Sequence, residues 1–247
     1  MKLLKFTVGL CLGFLLIALP FNQFQHSPLN PLETMVVQQD GRKKPLDTIA
    51  KETVAKIHGA TTYRHDGMKE DAMETFLSLW LNNRNWNEER FVLFSYRPLK
   101  EIAGLDPDQK YFSFQSLMTN QALGTVVREA HRKDLNEEDL SRDEREAMAL
   151  EDRLTLMLTS VDDNTVAIVP HPTDSKGKWM GITEAQSLYD ADAMAPLTAS
   201  FATLKRTFLS ESKLALAPIA ADLQDRLRSL SPQVYPAPGA MRQEVFF

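Results

Sequence analysis

The N-terminal end of the chain carries an uncharged, mostly apolar run from Phe6 to Phe21 that constrains everything after it. Lys2 and Lys5 precede the run, and the next lysine or arginine is Arg42. Because positive charge is retained on the cytoplasmic side of a membrane, this arrangement predicts a cytoplasmic N-terminus and an extracytoplasmic location for the rest of the chain. The run is slightly shorter than the roughly 20 residues of a full helical span.

Residues 1–21 are consistent with an uncleaved anchor or with an export signal that is removed. The segment Ala18-Leu19-Pro20-Phe21 contains no small-x-small cleavage site, which favours the anchor. We therefore expect one transmembrane helix in the inner (cytoplasmic) membrane at residues 1–21. It is followed by a linker at 22–33, an extracytoplasmic helical domain at 34–232, and a second linker at 233–247.

Composition excludes several classes of protein. The chain has 247 residues and a net charge of -5, with lysine and arginine interspersed among acidic residues. Nucleic acid is therefore not an expected partner, since phosphate binding needs clustered positive charge. The single cysteine, Cys11, lies in the apolar run, so the chain cannot form an internal disulfide or a site with two or more thiolate ligands.

Helical periodicity dominates the region after the first linker. Apolar residues recur at helical spacing from Lys69 to Asn83, while Ser141-Arg-Asp-Glu144 and Thr183-Glu-Ala-Gln186 have the pattern of a capping box. No internal repeat of fixed period is recognisable. We predict a fold that is mainly α with a few short strands (α+β), joined to one N-terminal transmembrane helix. The strands are expected near residues 34–38, 90–95 and 166–169.

The sequence contains no recognisable catalytic set and no metal-binding pattern. Its five histidines, at positions 26, 58, 65, 131 and 171, form no HxH, HExxH or CxxCH motif. A GxSxG nucleophile elbow is also absent from the sequence. His58 precedes Gly59, and we expect it at a helix end, where the helix dipole favours a histidine.

The stretch QQDGRKKPLDT, from Gln38 to Thr48, combines a turn, three basic side chains and the start of a helix. Asp40-Gly41 is typical of a tight turn, and Pro45 disfavours helix before itself. Asp47 or Thr48 is expected to cap the helix that follows, and Gly59 is expected to end it.

This stretch resembles a signature of the CcsA-type (System II) cytochrome c biogenesis proteins. The shared pattern is an apolar strand, then Asp40, Gly41 and Arg42, a variable pair, and Pro45, Leu46, Asp47 and Thr48. The similarity extends over most of the remaining chain and is weaker from Trp179 onward. It includes Trp80, Phe91 to Phe94, Leu99-Lys100 with Gly104-Leu105, Tyr111-Phe112-Ser113, Trp179, Tyr235-Pro236 and Glu244-Val-Phe.

The resemblance implies an extracytoplasmic part of a machine that delivers haem and attaches it to apocytochrome c. In that family a membrane domain with the haem-ligating histidines follows, so the resemblance implies that this chain is a fragment or half of a split protein. No position here matches a haem ligand. Haem is implied for the full system only, and the implied partners are the membrane, a cytochrome c assembly partner or the missing membrane domain, and apocytochrome c.

The three basic residues are the candidate anion contacts of the motif. Arg42, Lys43 and Lys44 could contact haem propionates or lipid phosphates. Alternatively, Arg42 pairs with Asp40 or Asp47 and fixes the turn.

Two classes of function remain open from the sequence. In the first, the domain is a scaffold or apocytochrome-binding region in cytochrome c biogenesis. In the second, it is an independent membrane-anchored binding module without a haem role.

Overall fold

A computed structural model describes residues 30–161, 165–210, 215–237 and 241. These residues form ten helices and six strands, with the strands paired as three antiparallel hairpins. In chain order the elements are α1 (Asn30–Glu33), β1 (Val36–Gln39), β2 (Arg42–Pro45), α2 (Leu46–His58), β3 (Thr62–His65), β4 (Met68–Asp71), α3 (Ala72–Trp80), β5 (Arg90–Leu93), α4 (Arg97–Ile102), β6 (Tyr111–Ser113), α5 (Phe114–Met118), α6 (Gln121–Leu135), α7 (Arg142–Ser160), α8 (Ile182–Ala185), α9 (Ala191–Leu209) and α10 (Leu216–Leu230).

Two Asp-Gly pairs determine the geometry of the first two hairpins. Asp40 and Gly41 have φ angles of 50° and 75°, and Asp66 and Gly67 have φ angles of 48° and 81°. Positive φ at both central residues defines the two-residue turn whose twist matches that of paired strands. The strands therefore pair without slippage on either side of each turn.

Each of these hairpins runs directly into a helix. The second strand of the first hairpin ends at Pro45, and α2 begins at the next residue. The second hairpin passes into α3 through Asp71, whose side chain accepts a hydrogen bond from the backbone N–H of Glu74 as part of a capping box. The third hairpin repeats the pattern, because β6 ends at Ser113 and α5 follows.

The hairpin-helix unit is thus repeated, whereas no repeat was expected from the sequence. The register Val36↔Pro45 of the first unit corresponds to Thr62↔Asp71 of the second. The repeat is not recognisable in the sequence, because the equivalent strands RKKP and MKED share little beyond the Asp-Gly that precedes each. Turn geometry, and not side-chain similarity, carries the repeat.

One core connects the units with the helices that follow. Its largest fully buried side chains include Trp80, Trp179, Phe76 and Phe91. Burying a side chain of this size contributes about 1.5–3 kcal/mol each. Trp80 packs near Phe201 of α9, with ring centroids 5.4 Å apart, so the second unit and the C-terminal helices share one apolar interior.

The predicted fold class requires correction. The described residues are a mixture of helix and strand, and none of their helices is long and apolar enough to cross a membrane. The predicted transmembrane helix at residues 1–21 lies outside the described residues and is not supported. The helix expected from Lys69 begins only at Ala72, because Met68–Asp71 forms a charged strand that lacks the apolar alternation by which a strand is recognised.

Several local predictions are confirmed, and three are wrong. The strand expected near residues 166–169 does not form, and Val169 makes only an isolated bridge with Met180. Gly59 ends α2 with a φ of 78°, and Ser141 opens α7 with a capping box. Thr183 does not cap a helix, since α8 begins at Ile182 after Gly181. Neither Asp47 nor Thr48 caps α2, because the helix begins directly after Pro45 and has no side-chain cap. The domain limits at residues 34 and 232 stay predictions.

Replacing Gly59 by alanine should destabilise the fold more than the same change at Gly41. Both glycines have positive φ, but an added Cβ at Gly59 would meet Cδ2 of Leu93, whereas the space around Gly41 is open. We expect Gly41→Ala to cost about 1 kcal/mol from its backbone alone. Gly59→Ala should cost about 2–4 kcal/mol because overpacking is added. Equal losses in denaturant unfolding would contradict this explanation.

Candidate functional site

The three basic residues predicted to contact an anion lie in the second strand of the first hairpin, and they differ in their surroundings. Arg42 is exposed beside the turn, and its side chain makes no ion pair or hydrogen bond with any described residue. Lys43 donates from Nζ to the carbonyl oxygen of Val234 at 2.8 Å. Lys44 forms an ion pair with Glu52 at 2.7 Å. Lys43 and Lys44 are therefore engaged within the chain.

The other motif residues form the base of the same hairpin. Pro45 and Leu46 are buried, and Asp47 is buried while pairing with Lys51 at 2.7 Å. A carboxylate in the first turn of a helix also interacts favourably with the helix dipole. The alternative in which Arg42 pairs with Asp40 or Asp47 is wrong. Arg42 pairs with no described residue, and the carboxylate of Asp47 pairs with Lys51, one helical turn away.

Gln38 attaches the hairpin to the rest of the protein. Its side-chain amide donates to the carbonyl oxygen of Gly177 at 3.2 Å and accepts from the backbone N–H of Trp179 at 2.7 Å. Its backbone N–H donates to the carbonyl oxygen of Ala167 at 3.0 Å. One glutamine thus holds two segments of a loop that is far away in sequence.

Tyr235 completes this attachment. Its ring stacks on Trp179 with centroids 5.6 Å apart, and its hydroxyl accepts a hydrogen bond from the N–H of Val36 at 3.3 Å. Burial raises the pKa of Tyr235 to about 12, so the phenol stays neutral at physiological pH. Lys43 lies 5.4 Å from the centre of the Trp179 ring. The geometry gives most of the signature a structural role, and anion binding by Arg42, Lys43 and Lys44 stays a prediction.

A groove lies elsewhere, beside the loop that follows α3. It has a volume of about 750 Å³. One wall carries four asparagines, Asn82, Asn83, Asn85 and Asn87. The groove combines many hydrogen-bonding groups with apolar surface, because the opposite wall is formed partly by apolar side chains of α5 and α7, including Phe114, Met157 and Leu158.

The asparagine loop is held rigidly at its centre. Trp86 is buried and donates from Nε1 to the carbonyl oxygen of Ser78 at 2.9 Å. Arg84 covers the Trp86 ring at 5.0 Å and pairs with Glu70 of β4 at 2.6 Å. These contacts leave Asn82, Asn85 and Asn87 exposed to solvent. Carboxamides present both donors and acceptors, which suits them to bind the main chain of another polypeptide.

The four described histidines lie outside this groove. His65 and His131 each face a glutamate, at 3.3 Å from Glu89 and 2.6 Å from Glu151. His171 accepts from backbone N–H groups of its own loop. None of these histidines lines the groove, and none lines the smaller pockets between α9 and α10, between α6 and α7, or between the first hairpin and α7. The described side chains also contain no group of three potential metal ligands.

His58 instead belongs to an aromatic cluster in the core. Its ring lies between Phe91 and Tyr111, with centroid distances of 4.9 Å and 4.3 Å, and its Nδ1 is 2.9 Å from the carbonyl oxygen of Phe91. Burial lowers the pKa of His58, although the bond to Phe91 opposes the shift. Nearby, burial and a 2.6 Å hydrogen bond to Glu89 raise the pKa of Tyr63. The expectation of His58 at a helix end is confirmed.

Comparison with known proteins finds a distant relative. The chain is similar to Protein NrfI of Wolinella succinogenes. The two are 22% identical over 173 residues, which is 70% of this chain but 19% of the relative's length. No family model matches the chain.

The match to NrfI supports a loose relationship to cytochrome c biogenesis. The motif predicted this relationship. The match does not support membership of the CcsA-type family or a membrane location.

The sequence did not identify the groove. Its only signal is the density of asparagine in LNNRNWNEE, a composition that is equally typical of a surface loop. Its second wall comes from α7, which is far away along the chain, so the cavity exists only after folding.

Removing the amide of Gln38 should destabilise the protein more than the same change at the neighbouring position. Gln38→Ala leaves the carbonyl of Gly177 and the N–H of Trp179 without their partner, which should cost about 1–3 kcal/mol. Gln39→Ala removes a contact to Lys44 only and is the matched control. Thermal unfolding measures both, and an equal shift in Tm would show that the Gln38 contacts contribute nothing specific.

Stability should fall in acid because His58 is held neutral. Its folded-state pKa is lowered, so this contribution is complete above about pH 6.5, the ordinary pKa of histidine, and is lost as the pH falls below it. His58→Asn keeps a donor near Phe91 but cannot titrate. It should therefore lower the overall stability yet flatten the dependence on pH between about pH 7 and 5. The free energy of unfolding measured across this range gives the slope, and a wild-type slope in His58→Asn would contradict this explanation.

Proposed function

We propose that this protein acts outside the cytoplasm in cytochrome c biogenesis, where it holds an unfolded segment of apocytochrome c or of a biogenesis partner. The groove beside the asparagine loop carries this proposal. The similarity to NrfI supports the process, and the groove supports the role of binding a polypeptide.

The chemistry of the groove suits an extended chain. A polypeptide without secondary structure exposes N–H and C=O groups that must find partners, and carboxamides provide both kinds. The apolar surface of Phe114 and Leu158 would accept side chains from the same segment. Since the Arg84–Glu70 pair and the buried Trp86 fix the loop in advance, binding would not require the loop to be ordered first.

Haem has no assigned ligand in this proposal. The role of the described residues is to hold the protein substrate, while haem handling is left to the rest of the system. An independent binding module without a haem role is the second candidate. The same groove would serve it, so measuring cytochrome maturation in cells distinguishes the two.

The test introduces a bulky charge into the groove and measures holocytochrome c. Leu158 is 59% exposed near the end of α7, and Leu158→Arg should obstruct the groove without disturbing the core. Asn87→Arg obstructs the opposite wall. We expect each to lower haem-stained c-type cytochromes by about tenfold, the effect of losing about 1.4 kcal/mol of binding free energy.

Leu209→Arg is the matched control, because Leu209 is 47% exposed at the end of α9 and does not line the groove. Thermal unfolding of all three purified variants should match the wild type. Normal cytochromes in the Leu158→Arg and Asn87→Arg strains would reject the groove. Normal cytochromes in a strain lacking the whole chain would reject the process and favour the second candidate.

A further inference from the structure

The outer edge of β3 presents backbone groups without partners. His65 and Met68 flank the two-residue turn and therefore form a hydrogen-bonded pair, so the next pair, Arg64 and Lys69, is a non-hydrogen-bonded pair. The N–H and C=O groups of Arg64 consequently point away from β4. The same alternation directs those of Thr62 outward.

The first hairpin shows what such an edge can bind. Gln38 occupies the position of Arg64, and its N–H donates to Ala167 of a distant segment at 3.0 Å. Val36 occupies the position of Thr62, and its N–H donates to Tyr235 at 3.3 Å. The outward groups of β1 are thus covered from within the chain.

The second hairpin has no such cover. Within the part of the chain that the structure describes, β3 pairs with β4 alone, and the N–H groups of Thr62 and Arg64 donate no hydrogen bond. Unpaired strand edges bind extended chains by adding a strand, with main-chain hydrogen bonds supplying much of the affinity.

The side chains at this edge indicate which kind of chain would bind. Arg64 and Lys69 are directly opposite each other and exposed, and neither forms an ion pair with a described residue. Like charges at such positions repel. A carboxylate placed beside them would relieve the repulsion. A second copy of the same edge would instead bring further positive charge to the site.

We propose that the β3 edge binds an extended segment of a partner polypeptide that carries aspartate or glutamate opposite Arg64, on the face that Arg64 shares with Lys69. The segment would become a third strand of the second hairpin. Its carbonyl groups would accept from the N–H groups of Thr62 and Arg64, in the manner that Ala167 accepts from Gln38. This site is separate from the asparagine groove, and the proposal does not depend on the process that the protein serves.

The experiment uses the purified full chain and a blocked peptide in which threonine and glutamate alternate over about seven residues, an ordinary strand length. Residue-resolved hydrogen exchange should show slower exchange at the N–H groups of Thr62 and Arg64 when this peptide is present. A threonine-lysine peptide should have no such effect. The acidic peptide with alternate main-chain nitrogens methylated, which cannot pair as a strand, should also lose the effect.

Charge variants test the side-chain part of the proposal. Arg64→Gln with Lys69→Gln should weaken binding of the acidic peptide by about tenfold. The double change to glutamate at these positions should abolish binding. Lys176→Glu is the matched control, because Lys176 is an exposed lysine in the loop near the first hairpin. It should leave the affinity within about twofold, because Lys176 is not part of the second hairpin.

Four outcomes would overturn the proposal. The first is unchanged hydrogen exchange at Thr62 and Arg64 with millimolar acidic peptide, and the second is an effect of the methylated peptide equal to that of the unmethylated one. The third is a loss of affinity in Lys176→Glu equal to that in the Arg64 and Lys69 variants. The fourth is a concentration-dependent dimer that protects the N–H of Arg64 without peptide. The last result would assign the edge to a second copy. Because the readout is peptide binding, it is independent of the cytochrome assay, and either proposal can fail alone.

Discussion

The left-handed backbone at Asp40-Gly41 and Asp66-Gly67 is the constraint on which the described structure depends. A two-residue turn allows one register, and the register decides which main-chain groups of each strand face the partner strand and which face away. It also fixes the residue at which the second strand ends and the helix begins. The positions of α2 and α3, and hence the interior that they build around Trp80 and Phe76, follow from these two turns.

The same geometry has different consequences in the two hairpins. In the first, the outward groups are satisfied by Ala167 and Tyr235, and the basic residues Lys43 and Lys44 are engaged by neighbours. In the second, the outward groups have no partner among the described residues, and Arg64 and Lys69 remain side by side. A repeated unit has thus produced one hairpin integrated into the body and another that is open to solvent. The asparagine groove and the unpaired edge of β3 are the two surfaces proposed to bind another polypeptide.

Local signals in the sequence were sufficient for part of this fold. The end of α2 at Gly59 and the start of α7 at Ser141 could be predicted because each depends on a few adjacent residues. The strand Met68–Asp71 could not, since its charged side chains face solvent and carry no alternation. The partner of Lys43 is a carbonyl near the other end of the described chain, and the groove joins a loop after α3 to the end of α7. Contacts of this kind depend on the tertiary arrangement, and a motif read along the chain cannot specify them.

The contact between Val36 and Tyr235 brings the two limits of the described body together. Gln224 reinforces it by donating to the carbonyl oxygen of Thr34 at 3.2 Å. A pulling force applied at residues 30 and 237 would therefore load these bonds together with the packing of α1 against α10, before it reached the aromatic interior. The domain would resist extension until these contacts between its two ends broke. It would then unfold from the first hairpin inward.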